Sequence, residues 1–346
     1  MNAWRLLVGC YTDAGNSGLH VFRGQGDDYA AWADRATDNP SWLITDAHAQ
    51  RLYCVNEGVQ GHLSAFELGD DGNLRPLARV STQGAGPCHV ALASDGRWAF
   101  VSHYDGGKLS VLPLNAEGVP APPVQIIDFQ SESEPKNSHI HCAIPTADGR
   151  YLFVVDLGHD CIHGYRIDSA ATQPLAPVSR LDVSAGMGPR HLRLSRDGER
   201  AWLMGEHDGS LLALRHDSGR LTLQQRVELD QSGQSRQQGG AEIALSSDER
   251  FLYASNRGDV DEITVWAIEA TGELQWRQSV ASQGYHPRHF TLTPDDRHLL
   301  VANQHSNEVV IFPRDVQTGT LSESSQRLPL TAPACLRFIN DSSEGK

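Results

Sequence analysis

The 346-residue sequence has no apolar run approaching the roughly 18 residues of a membrane-spanning helix. Its opening stretch, MNAWRLLVGCYTD, is too short in apolar residues for a secretory signal. No basic tract offsets a formal net charge of −14, which argues against nucleic acid or an anionic membrane as partner. The six cysteines (Cys10, Cys54, Cys88, Cys142, Cys161 and Cys335) are scattered without a C-x-x-C pair. Free buried thiols in a reduced, cytoplasmic protein are therefore expected. No stretch keeps a 3.6-residue apolar period for three turns, so long helices are not expected. The absence of a G-x-S-x-G elbow and of a P-loop leaves serine-hydrolase and nucleotide chemistry unsupported. A small anionic substrate is still compatible with the charge, provided that arginines cluster locally.

The sequence does contain a repeat. A strand-like run, a turn and a second strand-like run recur in SWLITDAHAQRLYCVNE, CHVALASDGRWAFVSHY, HCAIPTADGRYLFVVDL, RHLRLSRDGERAWLMGE, EIALSSDERFLYASNR and RHFTLTPDDRHLLVANQ. The D-G, D-E and D-D pairs fall where a tight hairpin needs Asp and Gly, and the flanks alternate apolar and polar. Aligned on their turns, the copies place Leu43, Val90, Ala143, Leu192, Ile243, Phe290 and Leu336 in one column, 46 to 53 residues apart. Four short strands fill about 50 residues, the content of one propeller blade. The seventh copy lacks its second strand, which WRLLVGCYT at the other end supplies. The expected fold is all-β: residues 1–346 as one domain, a seven-bladed β-propeller of four-stranded antiparallel blades. Pairing the N- and C-terminal strands closes the ring and leaves no bare sheet edge at the seam.

In such a hairpin the start of the first strand and the end of the second lie at the same end, so two columns face one mouth of the channel. One holds Ser41, Cys88, His141, Arg190, Ala241, Arg288 and Ala334. The other holds Glu57, Tyr104, Leu157, Glu206, Arg257 and Gln304, with Cys10 for the closing blade. Three arginines converging there are costly to desolvate without anionic partners. Glu57 and Glu206 can supply part of that partnering, and the remainder suits a carboxylate or phosphate ligand. His141 is the candidate general base, since an unperturbed imidazole titrates near neutrality. Strand alternation places His89, His191 and His289 on the opposite face, tying blades together.

The H-x-H pair His139/His141 and the segment DLGHDCIH, with Asp156, His159, Asp160 and His163, offer metal-ligand types. With no defined third ligand for the H-x-H pair, neither a metal nor a cofactor is expected at the site. Cys88 and Cys142 near the mouth lack an evident base to activate a thiol. The polar stretches near 131–138 and 230–240 read as loops that either cover the site or are disordered.

VGCYT, NPSWL, VNE, GPCHVALASDGRWAFVSHYDGG, HIHCAIPTADGRYLFVVDLG, GPRHLRLSRDG, AEIALSSDERFLYASNR and HPRHFTLTPDDRHLLVANQHSNEVVIF run through nearly the whole chain. Together they resemble the lactonase family of seven-bladed propellers, typified by bacterial 6-phosphogluconolactonases and related to fungal carboxymuconate-lactonising enzymes. The resemblance implies a metal-independent site, with the family's histidine at His141, its arginines at Arg190 and Arg257, and its acid at Glu206. The expected substrate is a small anionic sugar lactone, 6-phosphogluconolactone first. Arg288 is assigned to the distal phosphate, and Glu57, Tyr104, His103 and Gln304 to further substrate contacts. PRHF in place of the usual PRDF and VSHY in place of VANY depart from the family pattern, the latter placing His103 at the mouth. The alternative activities are a muconate-type cycloisomerase and a non-enzymatic interaction platform. A monomer or homodimer is expected.

Overall fold

The turns of the repeat close hairpins by one local device. In five of them an Asp side chain accepts the backbone N–H two residues on: Asp95 from Arg97, Asp148 from Arg150, Asp197 from Glu199, Asp248 from Arg250 and Asp295 from Arg297. The residue between takes a left-handed conformation. Gly96 and Gly149 adopt it without steric cost, at φ +69° and +71°, whereas Glu249 and Asp296 hold it at +56° and +59°.

The structure, a computed structural model, describes residues 4–340 except 14, 26, 27, 47, 49, 131–136 and 325. Among these, 28 strands form seven four-stranded antiparallel sheets and no helix occurs. The innermost strands are β4 (Leu43–Thr45), β8 (Pro87–Leu92), β12 (Ile140–Pro145), β16 (Pro189–Leu194), β20 (Gly240–Leu245), β24 (Pro287–Leu292) and β28 (Pro333–Asn340). Each begins at or near its member of the apolar column. The second strands of the blades are β5 (Arg51–Asn56), β9 (Trp98–His103), β13 (Tyr151–Asp156), β17 (Arg200–Gly205), β21 (Phe251–Asn256) and β25 (His298–Asn303). In the closing blade that place is taken by β1 (Trp4–Cys10), which pairs antiparallel with β28, Val8 opposite Leu336. The seam expected from the two truncated ends is thus present.

Faces of adjacent blades pack against each other. Phe100 and Val154 share one core cluster, and Phe153 and Leu203 share the next, so each sheet is buried on both sides. Trp202, Trp266, Tyr53, Tyr253, Phe100 and Phe153 are among the largest fully buried side chains. Each such residue contributes about 1.5–3 kcal/mol of hydrophobic stabilisation. The six cysteines are free and buried, as the scatter of the thiols implied.

One irregularity recurs at the top of the inner strands. Between Pro189 and Leu192 the inner strand advances three residues while its partner β17 advances two, from Gly205 to Leu203. β20 repeats this between Gly240 and Ile243. β8, β12 and β24 each slip by one residue at Pro87/His89, Ile140/Cys142 and Pro287/His289. These are β-bulges, which insert an extra residue and re-aim the side chains beside it.

Candidate active site at the channel mouth

Because of the bulges, consecutive residues at the top of an inner strand no longer point to opposite faces. His89, His191 and His289 lie on β8, β16 and β24, three blades that are not neighbours, yet all three rings pack on Trp42. Their centroids lie 4.5, 5.1 and 5.4 Å from that of the indole. Side chains from non-adjacent blades can meet only on the axis. The expectation that these histidines tie blades together is therefore corrected: they form a layer across the channel. Glu242, fully buried, holds that layer together. Its carboxylate lies 3.0 Å from His191 Nδ1 and 3.5 Å from His289 Nε2, and it accepts a 2.8 Å hydrogen bond from Arg193. Burial, followed by the field of nearby arginines, lowers the pKa of His89 to about 3 and that of His191 well below its usual value. His289 falls to about 4 through burial despite the opposing pull of Glu242.

Above this layer the expected mouth residues assemble. Glu206 Oε2 is shared by Arg190 Nε at 2.9 Å and an Arg257 terminal nitrogen at 3.1 Å, with His141 Nε2 at 4.0 Å. Arg190 also donates to the Ala241 carbonyl. Arg257 donates to the carbonyls of Gly239 and Gly240 at 2.9 and 3.2 Å. Both guanidiniums are therefore fixed before any ligand arrives. Burial alone would raise the Glu206 pKa, but Arg257, Arg190 and Arg288 more than offset it and hold the carboxyl below its usual range. His141 is driven well below its usual value by burial and then by Arg190. Burial and Arg190 also lower Arg257, to about 10. Glu206 is thus ionised and His141 neutral at physiological pH.

Arg288 sits on the other side of the mouth, its guanidinium over the Tyr11 ring at 5.1 Å. Tyr11 donates to Glu57 at 2.9 Å. Among the described residues no carboxylate ion-pairs with Arg288, which makes it the free cation of the ring. Tyr11 corrects a one-residue error, since Cys10 is buried in β1 and Tyr11 is the exit residue of the closing blade. Tyr104 stands at the rim, stacked on His139 at 4.4 Å and edge-on to His141 at 5.7 Å. Gln304 occupies the corresponding exit of β25, its backbone N–H donating to His286.

His103 is not at the mouth. It is fully buried, near the Lys108 carbonyl, and its ring fills the space beside Gly84. β9 runs regularly to its end, so Tyr104 takes the mouth and His103 the face away from it. The H-x-H pair does not converge either, because His139 Nδ1 bonds the Tyr104 carbonyl while His141 faces Glu206.

A cleft of about 640 Å³ opens beside Glu206 and Arg257, lined also by His207, Gln237, Gln238, Gly239, Asp261, Tyr285, His286 and His305. Of the polar stretch near 230–240, residues 237–239 form a wall of this cleft. Of the other stretch, 131–136 lie outside the described residues, while Ser138 anchors to Asp156. Sequence reasoning missed His286, His305, Trp42 and Glu242. All four lie within the repeat segments, but nothing in the two-column register marks them.

His286 adopts φ +60° and its backbone N–H donates to Asp261. Its ring stacks on His305 with centroids 4.0 Å apart and places Nε2 3.4 Å from Arg257. Burial, then Arg257, lowers its pKa to about 3, so it stays neutral and can accept from that guanidinium. His286 is a positioning residue for Arg257. His286→Ala is expected to lower kcat/KM roughly tenfold, the worth of a hydrogen bond to a charged group, with His286→Gln recovering part of the loss. Steady-state kinetics on both variants check this, and equal losses in the two would contradict the acceptor role.

The sequence model of the family described as "Lactonase, 7-bladed beta-propeller" matches residues 5–338. The chain is 31% identical to a 6-phosphogluconolactonase of Formosa agariphila, covering 96% of this chain and 99% of that protein. It is 26% identical to the 6-phosphogluconolactonase of Bacillus subtilis, covering 96% and 97%. Among solved structures, the periplasmic gluconolactonase PpgL of Pseudomonas aeruginosa superposes with a TM-score of 0.92 at 33% identity, covering 97% of this chain and 99% of that one.

Proposed function

The chain belongs to the lactonase family of seven-bladed β-propellers, and from that premise we propose that it hydrolyses a sugar-acid lactone, with 6-phosphogluconolactone as the leading substrate. The observation that carries this reading is the Glu206 carboxylate held by two guanidiniums, with neutral His141 at 4.0 Å and a third guanidinium, Arg288, across the mouth over the Tyr11 ring and without a carboxylate ion pair among the described residues. Three cations against Glu206 and Glu57 leave the mouth one positive charge in surplus, suited to an anionic substrate. Curated relatives named 6-phosphogluconolactonase favour the phosphorylated lactone. The reading carries a role in the pentose phosphate pathway and a cytoplasmic location, the latter supported by the six free thiols.

In the proposed reaction the lactone carbonyl lies against Arg190 and Arg257, with the phosphate toward Arg288. Glu206, which lines the cleft, orients the attacking water. As the water oxygen bonds to the carbonyl carbon, its proton passes to the Glu206–His141 pair. The carbonyl oxygen becomes an oxyanion beside two fixed guanidiniums. Collapse breaks the ring C–O bond, and the proton returns to the leaving hydroxyl. The positive field that makes Glu206 and His141 weak bases also stabilises the oxyanion, in a pocket whose donors need no reorganisation. A lactone is already reactive, so the modest base strength suffices.

The test is hydrolysis of freshly generated 6-phosphogluconolactone by the purified protein with EDTA present, beside Arg190→Ala and His141→Ala. The native protein is expected to exceed the spontaneous rate severalfold at least, and Arg190→Ala to lose about a hundredfold in kcat. Hydrolysis no faster than the spontaneous rate would refute the reading. Gluconolactone without the phosphate, assayed in parallel, reports the contribution of Arg288 through KM.

A further inference from the structure

Away from the mouth, the hairpin of β13 and β14 (Cys161–Ile167) carries a donor set that the hydrolysis does not use. Asp156 and Cys161 are directly opposite across the hairpin, and His163, two residues further on, shares the face of Cys161. A carboxylate oxygen of Asp156, Cys161 Sγ and a His163 ring nitrogen all lie within 4.8 Å of one another, with Sγ and Nε2 only 3.3 Å apart. Cys161 and Asp156 are fully buried, and Phe129 packs on the His163 ring at 4.7 Å.

The other blades show what this position ordinarily holds. The cross-strand pairs equivalent to Asp156/Cys161 are Asn56/His62, His103/Lys108, Asn256/Glu262 and Asn303/Glu308. The residues two further on are Ser64, Ser110, Thr264 and Val310. In the Asn56 blade the neutral amide is closed by a 2.6 Å hydrogen bond from Ser64. Among these five blades only that of Asp156 carries a carboxylate, a thiol and an imidazole instead.

The carboxylate is also short of positive charge. Asp156 Oδ1 accepts the backbone N–H groups of His139, Gly158 and His159, and Oδ2 accepts from Ser138 Oγ. Among the described residues its only ionisable ion-pair partner is His159, at 3.1 Å. These contacts fix the carboxylate as an outer shell fixes a metal ligand, and Oδ2 would ligate the ion in place of its 3.1 Å contact with His159 Nδ1. A buried anion beside a thiol and an imidazole at chelating separation matches the sulfur, nitrogen and oxygen donors of a tetrahedral zinc-class site.

We propose that Asp156, Cys161 and His163 bind one divalent transition-metal ion of the zinc class, with the fourth position left to water or His159. Cys161 ligates as the thiolate, its proton passing to solvent. The ion braces the Ser138–His139 segment through Asp156. That segment leads into β12, so the ion stabilises the strand that carries His141 and takes no part in hydrolysis.

Cobalt(II) is the probe. Chelator-stripped full-length protein titrated with Co²⁺ is expected to develop a thiolate-to-cobalt charge-transfer band that saturates at a single equivalent. Cys161→Ser should abolish the band, and His163→Gln, which leaves the thiol in place, should weaken Co²⁺ binding at least tenfold. Zn²⁺ should raise the Tm of the native chain and leave that of Cys161→Ser unmoved. EDTA should not change the hydrolysis rate of the folded protein. The absence of a band, or a band that persists in both variants, would overturn the site. Hydrolysis lost on chelation and regained with Zn²⁺ would overturn its structural role.

Discussion

Glu206→Gln is expected to lower kcat/KM for lactone hydrolysis by about a thousandfold while leaving the propeller folded. The substitution keeps the size and planarity of the side chain and removes one charge. Three effects then act together. The pair that receives the proton of water loses its anionic member, an effect of about 10²- to 10⁴-fold for general-base groups. The guanidiniums of Arg190 and Arg257, 2.9 and 3.1 Å from the carboxylate, lose their shared counter-ion and repel each other. A neutral amide also directs its N–H₂ at one of these donors. Removing one partner of a buried ion pair costs about 3–5 kcal/mol. Glu206 is one-fifth exposed, so water screens part of that cost and the variant should remain folded with a lower denaturant midpoint. The check is the initial rate of acid release from freshly prepared lactone, beside a circular-dichroism melt. Activity within tenfold of the native protein would remove Glu206 from the mechanism.

The second large effect concerns acid. His89, His141, His191 and His289 are buried in or beside the channel layer, and all four have folded-state pKa values depressed, first by burial. In the unfolded chain each takes up a proton near pH 6.5. In the folded chain His289 does so only at about 4 and His89 at about 3. Between those limits the unfolded state binds more protons, so stability falls as pH falls. Above about 6.5 both states are neutral and this contribution is flat. Each histidine contributes a slope of up to about 1.4 kcal/mol per pH unit. Together the four can remove most of the roughly 5–15 kcal/mol that stabilises an ordinary fold. Cooperative unfolding is therefore expected between about pH 6 and 4, seen as a urea midpoint that is constant from pH 8 to 7 and drops steeply below 6. His289→Gln, which cannot titrate, should flatten the slope by one proton's worth. A midpoint unchanged down to pH 5 would mean that the layer is protonated in the folded state, with Glu242 as its counter-ion.

The bracing ion at Asp156 and the neutral acceptor His286 both bear on the site indirectly, by holding β12 and Arg257 in place. Removal of the ion should therefore leave the rate of the folded protein unchanged, and loss of His286 should cost less than loss of Glu206. That ordering is itself measurable in one set of assays at a single pH.

Much of this arrangement was legible in the sequence because it is local or periodic. Asp–Gly turns define hairpins through contacts two residues apart, and the column from Leu43 to Leu336 recurs every 46 to 53 residues. Those two regularities determined seven blades, the closure of β28 on β1, and the meeting of His141, Arg190, Glu206, Arg257 and Arg288 at one mouth. Alternation was the rule that failed. It assumes two residues per pleat, and the bulges at Pro189–Leu192 and its equivalents insert an extra residue that no residue type announces. Only the tertiary structure decided that His89, His191 and His289 face the axis, that Trp42 and Glu242 join them, and that His103 is buried elsewhere. It also decided that the cleft beside Arg257 is completed by His286, His305 and the 237–239 wall, since these come from separate blades and loops whose meeting depends on ring closure. A repeating sequence determines where each strand starts and stops, whereas the direction of a side chain at an irregular strand end depends on what the opposite blades place in its way.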